Sequence, residues 1–385
     1  MRVPSPPSIQ ELTHISPSTY AAARICRARA VWASLKTKPH VPEHPSAVLG
    51  MCFHSVLEKA ATGELASTLD GVLGAAREWF DSKCRELYES AHALLRLKFS
   101  APDRMPGYYL FRERAGVAAL NAFVAPQPNT SLLHPRGGTR GSVVEKRLSS
   151  SDGKLVGRPD VVDMVKGEVI DYKTSCTTDD DLISEAELRQ LRLYVHLAAE
   201  NGFSMSTGVI TRANGQRISA RITPSEARAE ATTAEDTLSQ LNAAIKGGAD
   251  FQHLATPSAS TCKSCPYMAF CEPFWDSAGS DWMDDCGPQL EGSIVSVAHS
   301  TLAGLRLVSL VIDFRRGTVP DSTYTIEQIP TDWLLVDGSS LPAVGESLRV
   351  LHARQLDADP ATLRADRTST TLWSIPATAV GGARG

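Results

Sequence analysis

From Ser16 to Leu35 the stretch SPSTYAAARICRARAVWASL repeats its apolar residues with helical spacing. It predicts one helix, with Ser16 or Ser18 as the cap and Pro17 near the start. A Pro-rich loop follows, and helical spacing resumes near Leu49 and continues through 66–100 and 108–124. After a loop around 125–141 rich in Pro, Gly and Arg, the period shortens to about two. VVEKRLS (143–149), KLVGRPDVVDMV (154–165) and EVIDYKT (168–174) predict three strands, joined by turns at Asp152-Gly153 and Lys166-Gly167. ELRQLRLYVHLAAE (187–200) is an amphipathic helix. Residues 207–223 form a hairpin turning at Asn214-Gly215, and Thr223-Pro224 opens a helix running to about Lys246. Helices, a small sheet, a helix and more sheet predict an α/β layered core.

Residues 276–288 (DSAGSDWMDDCGP) read as a polar linker between a domain at 1–275 and a strand-rich region at 289–376. Five strand patterns in that second region predict a small closed β-barrel, OB-like in strand count. The tail 377–385 (ATAVGGARG) is expected to be disordered, and no internal repeat is evident.

The 385 residues suffice for a sizeable core. A formal net charge of −4 gives no global basic field, although a groove needs only local positive charge to hold a polyanion. No run of about 18 apolar residues is present to span a bilayer. The opening MRVPSPPSIQ lacks the apolar segment of a secretory signal, so a cytoplasmic location and no membrane partner are expected. Among 8 cysteines, Cys52, Cys84, Cys176 and Cys286 stand alone and read as small buried hydrophobes. Cys262, Cys265 and Cys271 instead form C-x2-C-x5-C, for which zinc is the generic reading and a disulfide plus a spare thiol the weaker one.

The hairpin GRPDVVDMVKGEVIDYKTS (157–175) concentrates acidic residues. A two-residue turn at Lys166-Gly167 would set Asp171 opposite Val162 and Lys173 opposite Asp160. Asp160, Asp171 and Lys173 then share one face, with Asp163 and Glu168 on the other. An exposed cross-strand Asp160–Lys173 pair is the bland reading. Against it stand the apolar flanks Val161, Val162, Val169 and Ile170, and a Gly157 that admits close approach. Acids buried on one face repel unless a cation neutralises them.

GRPD with Asp160, followed by IDYKT with Asp171 and Lys173, resembles the core of the PD-(D/E)XK nuclease superfamily. QLRLY (Gln190, Tyr194) and GMCFHSVLE (Gly50, His54, Leu57, Glu58) resemble the motifs of its RecB-like branch, and Glu145 fits the acidic residue usual one strand earlier. The resemblance covers about 16–275 and implies a restriction-endonuclease-like mixed sheet with flanking helices. It also implies Mg²⁺ or Mn²⁺ held by His54, Asp160, Asp171 and the carbonyl of Tyr172. Lys173 would orient the attacking water or stabilise developing charge, with Glu145, Gln190 and Tyr194 completing the catalytic set. Glu58, one helical turn beyond His54, is a candidate support for the imidazole.

The cysteine triplet is similar to that of iron–sulfur members of this branch, such as AddB nuclease domains and CRISPR-associated adaptation exonucleases. The resemblance then assigns a 4Fe–4S cluster to Cys26, Cys262, Cys265 and Cys271, with zinc as the alternative. Arg24, Arg27, Arg147, Arg189 and Arg192 lie near these motifs and are candidates for phosphate contacts, as are Arg136 and Arg140. The implied activity is a metal-dependent deoxyribonuclease, an exonuclease on single-stranded DNA ends in repair, recombination or anti-phage defence. The rival is a non-cleaving iron–sulfur module that recruits DNA to a partner helicase or nuclease complex. No helicase phosphate loop occurs in the sequence, so unwinding would fall to another subunit.

Overall fold

The computed structural model describes all residues except 5–6, 36–40, 66–67, 125–140, 175–181, 337–339, 357–358 and 377–385. Ser16 caps the first helix by accepting from the Thr19 N–H, and Pro17 occupies its first turn. The expected single helix is two, Pro17–Ile25 and Arg27–Ser34, because Cys26 is extended (φ −157°, ψ 120°). Three further helices, Pro45–Ala61, Leu69–Ser90 and Tyr108–Val124, pack into a bundle. Pro45–Ala61 buries the stripe Val48, Leu49, Cys52, Phe53, Val56 and Leu57. That leaves His54 and Glu58 half-buried on the adjoining strip. The expected helix over 66–100 is interrupted at Ala91, which is extended, before the short helix Ala93–Lys98.

The catalytic-motif strands are shorter than their sequence pattern. They are β1 (Ser142–Val144), β2 (Leu148–Ser149), β3 (Val156–Gly157), β4 (Val161–Asp163) and β5 (Glu168–Lys173), followed by β6 (Thr207–Arg212) and β7 (Arg217–Arg221). Glu145, at φ +51°, breaks the first predicted strand into β1 and β2, and the second is broken at 158–160 ahead of β4. β2 and β3 pair as a separate ribbon. The main sheet has the order β1-β4-β5-β6-β7, with β5 and β6 parallel and the other pairs antiparallel.

Between the parallel strands runs the helix Glu185–Glu200, opened by a reciprocal cap in which Ser184 and Glu187 each bond the other's main chain. It covers Val162, Val169 and Ile210 together with the helix Pro224–Lys246. The opposite face, Val161, Ile170 and Val209, packs near Ala61 and Tyr172. This mixed α/β core agrees with the expected restriction-endonuclease-like architecture.

The C-terminal region is not the expected closed barrel. It forms one open seven-stranded sheet from β8 (Gln289–Leu302), β9 (Leu305–Gly317), β10 (Thr323–Pro330), β11 (Ser347–Leu351), β12 (Arg354–Leu356), β13 (Asp359–Arg364) and β14 (Thr371–Ile375). Their order is β12-β13-β10-β9-β8-β11-β14, so β12 and β14 are edges rather than partners. Closure at β14 is pre-empted by the N-terminus: Arg2 bridges Ser374 in parallel, and Val3 N–H and Ser374 N–H exchange bonds with Ser374 and Met1 carbonyls at 2.9 and 2.7 Å. The long β8–β9 hairpin also outruns the strand lengths a small barrel uses.

Strand and nuclease regions meet through a second apolar cluster. It joins Met1, Trp32 and Cys262 to Trp333, Leu351 and Trp373. Among the described residues, no helix is long and apolar enough to cross a membrane.

Candidate active site

Strand pairing decides which carboxylates meet. The last β4–β5 pair is Asp163 opposite Glu168, so the hairpin loop has four residues, 164–167, rather than two. The register therefore moves by two, which preserves every side chain's face. Asp160, one step beyond the pair Val161–Ile170, lies across from Asp171. Asp163 and Glu168 lie elsewhere: Glu168 pairs with Arg217 at 2.8 Å, and Asp163 accepts the N–H groups of Val165 and Lys166 in the loop.

Asp160 Oδ2 accepts the Tyr172 N–H at 2.6 Å, and its Oδ1 stands 3.5 Å from His54 Nδ1. Asp171 is 5% exposed. Its Oδ1 accepts from Gln190 Nε2 at 2.9 Å, and its Oδ2 lies 2.6 Å from Lys173 Nζ. Lys173 in turn donates to Gln190 Oε1 at 2.8 Å, and Gln190 Nε2 also reaches Tyr194 OH at 3.1 Å. Gln190 thus ties the acid, the ammonium and the phenol together from one turn of the helix Glu185–Glu200. Gly157 lets that helix approach: a Cβ there would lie 2.7 Å from Leu197 Cδ1 and 3.0 Å from Tyr194 Cε1.

The electrostatics follow from packing several acids into little solvent. Burial, together with the Asp160 charge and against the pull of Lys173, pushes the Asp171 carboxyl up to about 6. Glu145 is pushed up to about 7 by burial and by its hydrogen-bonded neighbour Asp160, despite Arg158. Asp160 goes the other way. Burial raises it, but His54, the Tyr172 N–H and Glu145 outweigh burial and hold it low. Burial would lower His54, yet Asp160 prevails and raises it.

Asp171 Oδ2 is buried and has no hydrogen bond of good geometry among the described residues, although the Lys173 ammonium is near. Hard oxygen donors, an orphaned carboxylate oxygen and an adjacent imidazole suit Mg²⁺ or Mn²⁺ in chemistry and charge. As they stand, no three His, Cys, Asp or Glu side chains among the described residues are arranged to hold an ion.

Cys26, Cys262, Cys265 and Cys271 line one small cavity, Cys26 from the helix break and the others from 262–271. Burial raises the three clustered thiols, Cys265 to about 11 and Cys271 to about 12. Cys52, Cys84 and Cys286 are buried as expected, and Cys176 lies outside the described residues.

The candidate phosphate-binding arginines do not gather at the site. Arg189 and Arg192 pair with Glu185 at 3.3 and 3.0 Å, and Arg192 also meets Glu230. Arg24 lies over the Tyr20 ring, Arg27 bonds Gln240, and Arg147 is exposed beside Lys146. Arg136 and Arg140 lie outside the described residues. Two arginines escaped the sequence reading. Arg158, inside the GRPD motif, holds Glu145, and buried Arg212 ties Glu187 and the Leu182 carbonyl beside Lys173 on the neighbouring strand. Arg158 was legible from its motif position; Arg212 gave no local signal.

The family model of the PD-(D/E)XK nuclease superfamily matches residues 14–272. The chain belongs to this superfamily. No curated protein matches it. The matched span holds every motif residue of the site and ends just past Cys271, so the C-terminal sheet lies outside it. Nuclease membership accords with the grouping of buried Asp171 with half-buried Asp160 and Lys173.

Proposed function

We propose that this nuclease is a Mg²⁺- or Mn²⁺-dependent deoxyribonuclease, an exonuclease on single-stranded DNA ends serving repair, recombination or anti-phage defence. The observation that carries the reading is the buried Asp171, across from Asp160, with its two oxygens facing Lys173 and Gln190, which in turn bond each other.

Asp160, Asp171, His54 and the Tyr172 carbonyl would hold the metal, which when bound neutralises phosphate charge and acidifies water. Lys173, fixed by Asp171 and Gln190, presents an ammonium that stabilises the charge developing on the phosphate. Glu145, pushed up to about 7, holds its proton more tightly than a free carboxyl, whereas its neighbour Asp160 is held low and ionises more readily. Tyr194 supports Gln190 from below. This intact set disfavours the non-cleaving alternative.

The RecB-like resemblance of Gly50–Glu58 and Gln190/Tyr194 supports action on single-stranded ends. The four thiols lining one cavity support a 4Fe–4S cluster, with zinc as the alternative, pinning the N-terminal helices to the end of the nuclease region. A helicase or other defence or repair subunit would supply unwinding. The test is digestion of end-labelled linear and circular single strands with each metal: linear DNA is degraded and circles survive. Cleaved circles would overturn the end-dependent reading, and a colourless protein after anaerobic purification would overturn the iron–sulfur one.

A further inference from the structure

Glu145 is held in an unfavourable conformation, and one side chain holds it. At φ +51° a glutamate sits in the left-handed region that few non-glycine residues adopt. Three bonds fix it there. Its N–H donates to the Asp160 carbonyl at 2.9 Å, and Arg158 Nε faces both its carbonyl at 2.7 Å and its carboxylate Oε2 at 2.5 Å. The turn aims the Glu145 carboxyl at Asp160 while its side chain stays only 18% exposed.

The guanidinium is used on one edge only. Nε makes both contacts, and the two terminal amino groups have no partner among the described residues, on a side chain that is 59% exposed. Three of the other arginines singled out for phosphate contact are committed: Arg189 and Arg192 to Glu185, Arg27 to Gln240. Arg158 is two residues from Asp160 in the chain and contacts Glu145, whose carboxyl neighbours Asp160, so its exposed guanidinium lies beside the acidic group. A planar fork with two free donors matches a non-bridging phosphate oxygen pair.

We propose that Arg158 is a substrate-binding and positioning residue: its Nε holds Glu145 against Asp160 while its terminal amino groups take a backbone phosphate of the DNA strand next to the scissile bond. This rests on the deoxyribonuclease reading of the same site. It gives the site its own cation for the strand, and it links strand docking to the placement of Glu145.

The experiment compares wild type, Arg158→Lys, Arg158→Gln and Asp171→Ala. Affinity for a fluorescein-labelled oligothymidylate is measured by anisotropy in Ca²⁺ over a salt series, and Mn²⁺ affinity by electron paramagnetic resonance. Arg158→Gln weakens the oligonucleotide about tenfold and lowers the salt slope by about 0.7, the loss of one phosphate contact on a single strand. It also weakens Mn²⁺ several-fold, because Glu145 is no longer held. Arg158→Lys restores the salt slope but not Mn²⁺ affinity, since one ammonium cannot serve both edges. Unchanged oligonucleotide affinity and slope in Arg158→Gln, with a native melting profile, overturn the proposal. Wild type that binds Mn²⁺ no better than Asp171→Ala overturns the underlying site assignment instead.

Discussion

Gln190 is the residue through which the site is assembled, because one amide bonds an acid, an ammonium and a phenol at once. Gln190→Ala should leave the fold intact and slow DNA cleavage at least about tenfold, matching about 1.5–3 kcal/mol for a bond to a charged group. Single-turnover cleavage beside a circular dichroism melt checks both halves. Gly157→Ala acts on the same helix from below, by pushing on Tyr194 and Leu197. It should cost about 1–3 kcal/mol by overpacking and lower activity through Tyr194, which urea unfolding and the same cleavage assay read. Most of this site was legible in the sequence because its residues sit in short motifs. The hairpin's turn length was wrong by two residues and still did no harm, since a shift of two keeps each side chain on its face. What could not be read was the clasp of Glu145 by Arg158, which depends on a positive φ that no residue type announces.

At the scale of elements, helices announced themselves by caps and stripes, whereas their interruptions did not. Cys26 is extended in the middle of a run with unbroken helical spacing, so periodicity alone continued through it. The predicted strands run too long because apolar residues lie on both sides of the polar steps at 145–147 and 158–160, where the backbone turns away. The reciprocal cap at Ser184 starts the helix that delivers Gln190 and Tyr194. Ser184→Ala should cost about 1 kcal/mol, read as a lowered urea midpoint with unchanged slope.

Across the whole molecule, the open sheet is bolted to the cysteine-bearing segment by buried charge. Arg349 and Glu291 are both fully buried and paired at 2.7 Å, while Arg349 also donates to the Ala269 carbonyl at 2.6 Å and meets Glu272 beside Cys271. Arg349→Met removes one of the two guanidinium groups that hold Glu291, leaving Arg316 at 2.7 Å, and should destabilise by about 1.5–3 kcal/mol; adding Glu291→Gln should recover part of that loss in a double-mutant cycle. Lys98 joins the two regions from the other side, donating to the Thr370 carbonyl at 2.6 Å, and burial lowers its pKa from 10.5 to about 8. Between those values the unfolded chain binds more protons than the folded one, so stability rises with pH from about 8 to 10.5. Wild type should gain on Lys98→Met across that window in urea midpoints.

The barrel expectation failed because strand patterns do not specify pairing: five patterns became seven strands in one open sheet, with the N-terminal residues lying against its β14 edge. The central claim, that Asp171 and Lys173 form the centre of a metal-dependent nuclease, is tested most directly by Mn²⁺-dependent cleavage of end-labelled single-stranded DNA by wild type, Asp171→Ala and Lys173→Ala. Wild type should cleave and both variants should be inactive while folded; cleavage retained by both variants would contradict the account.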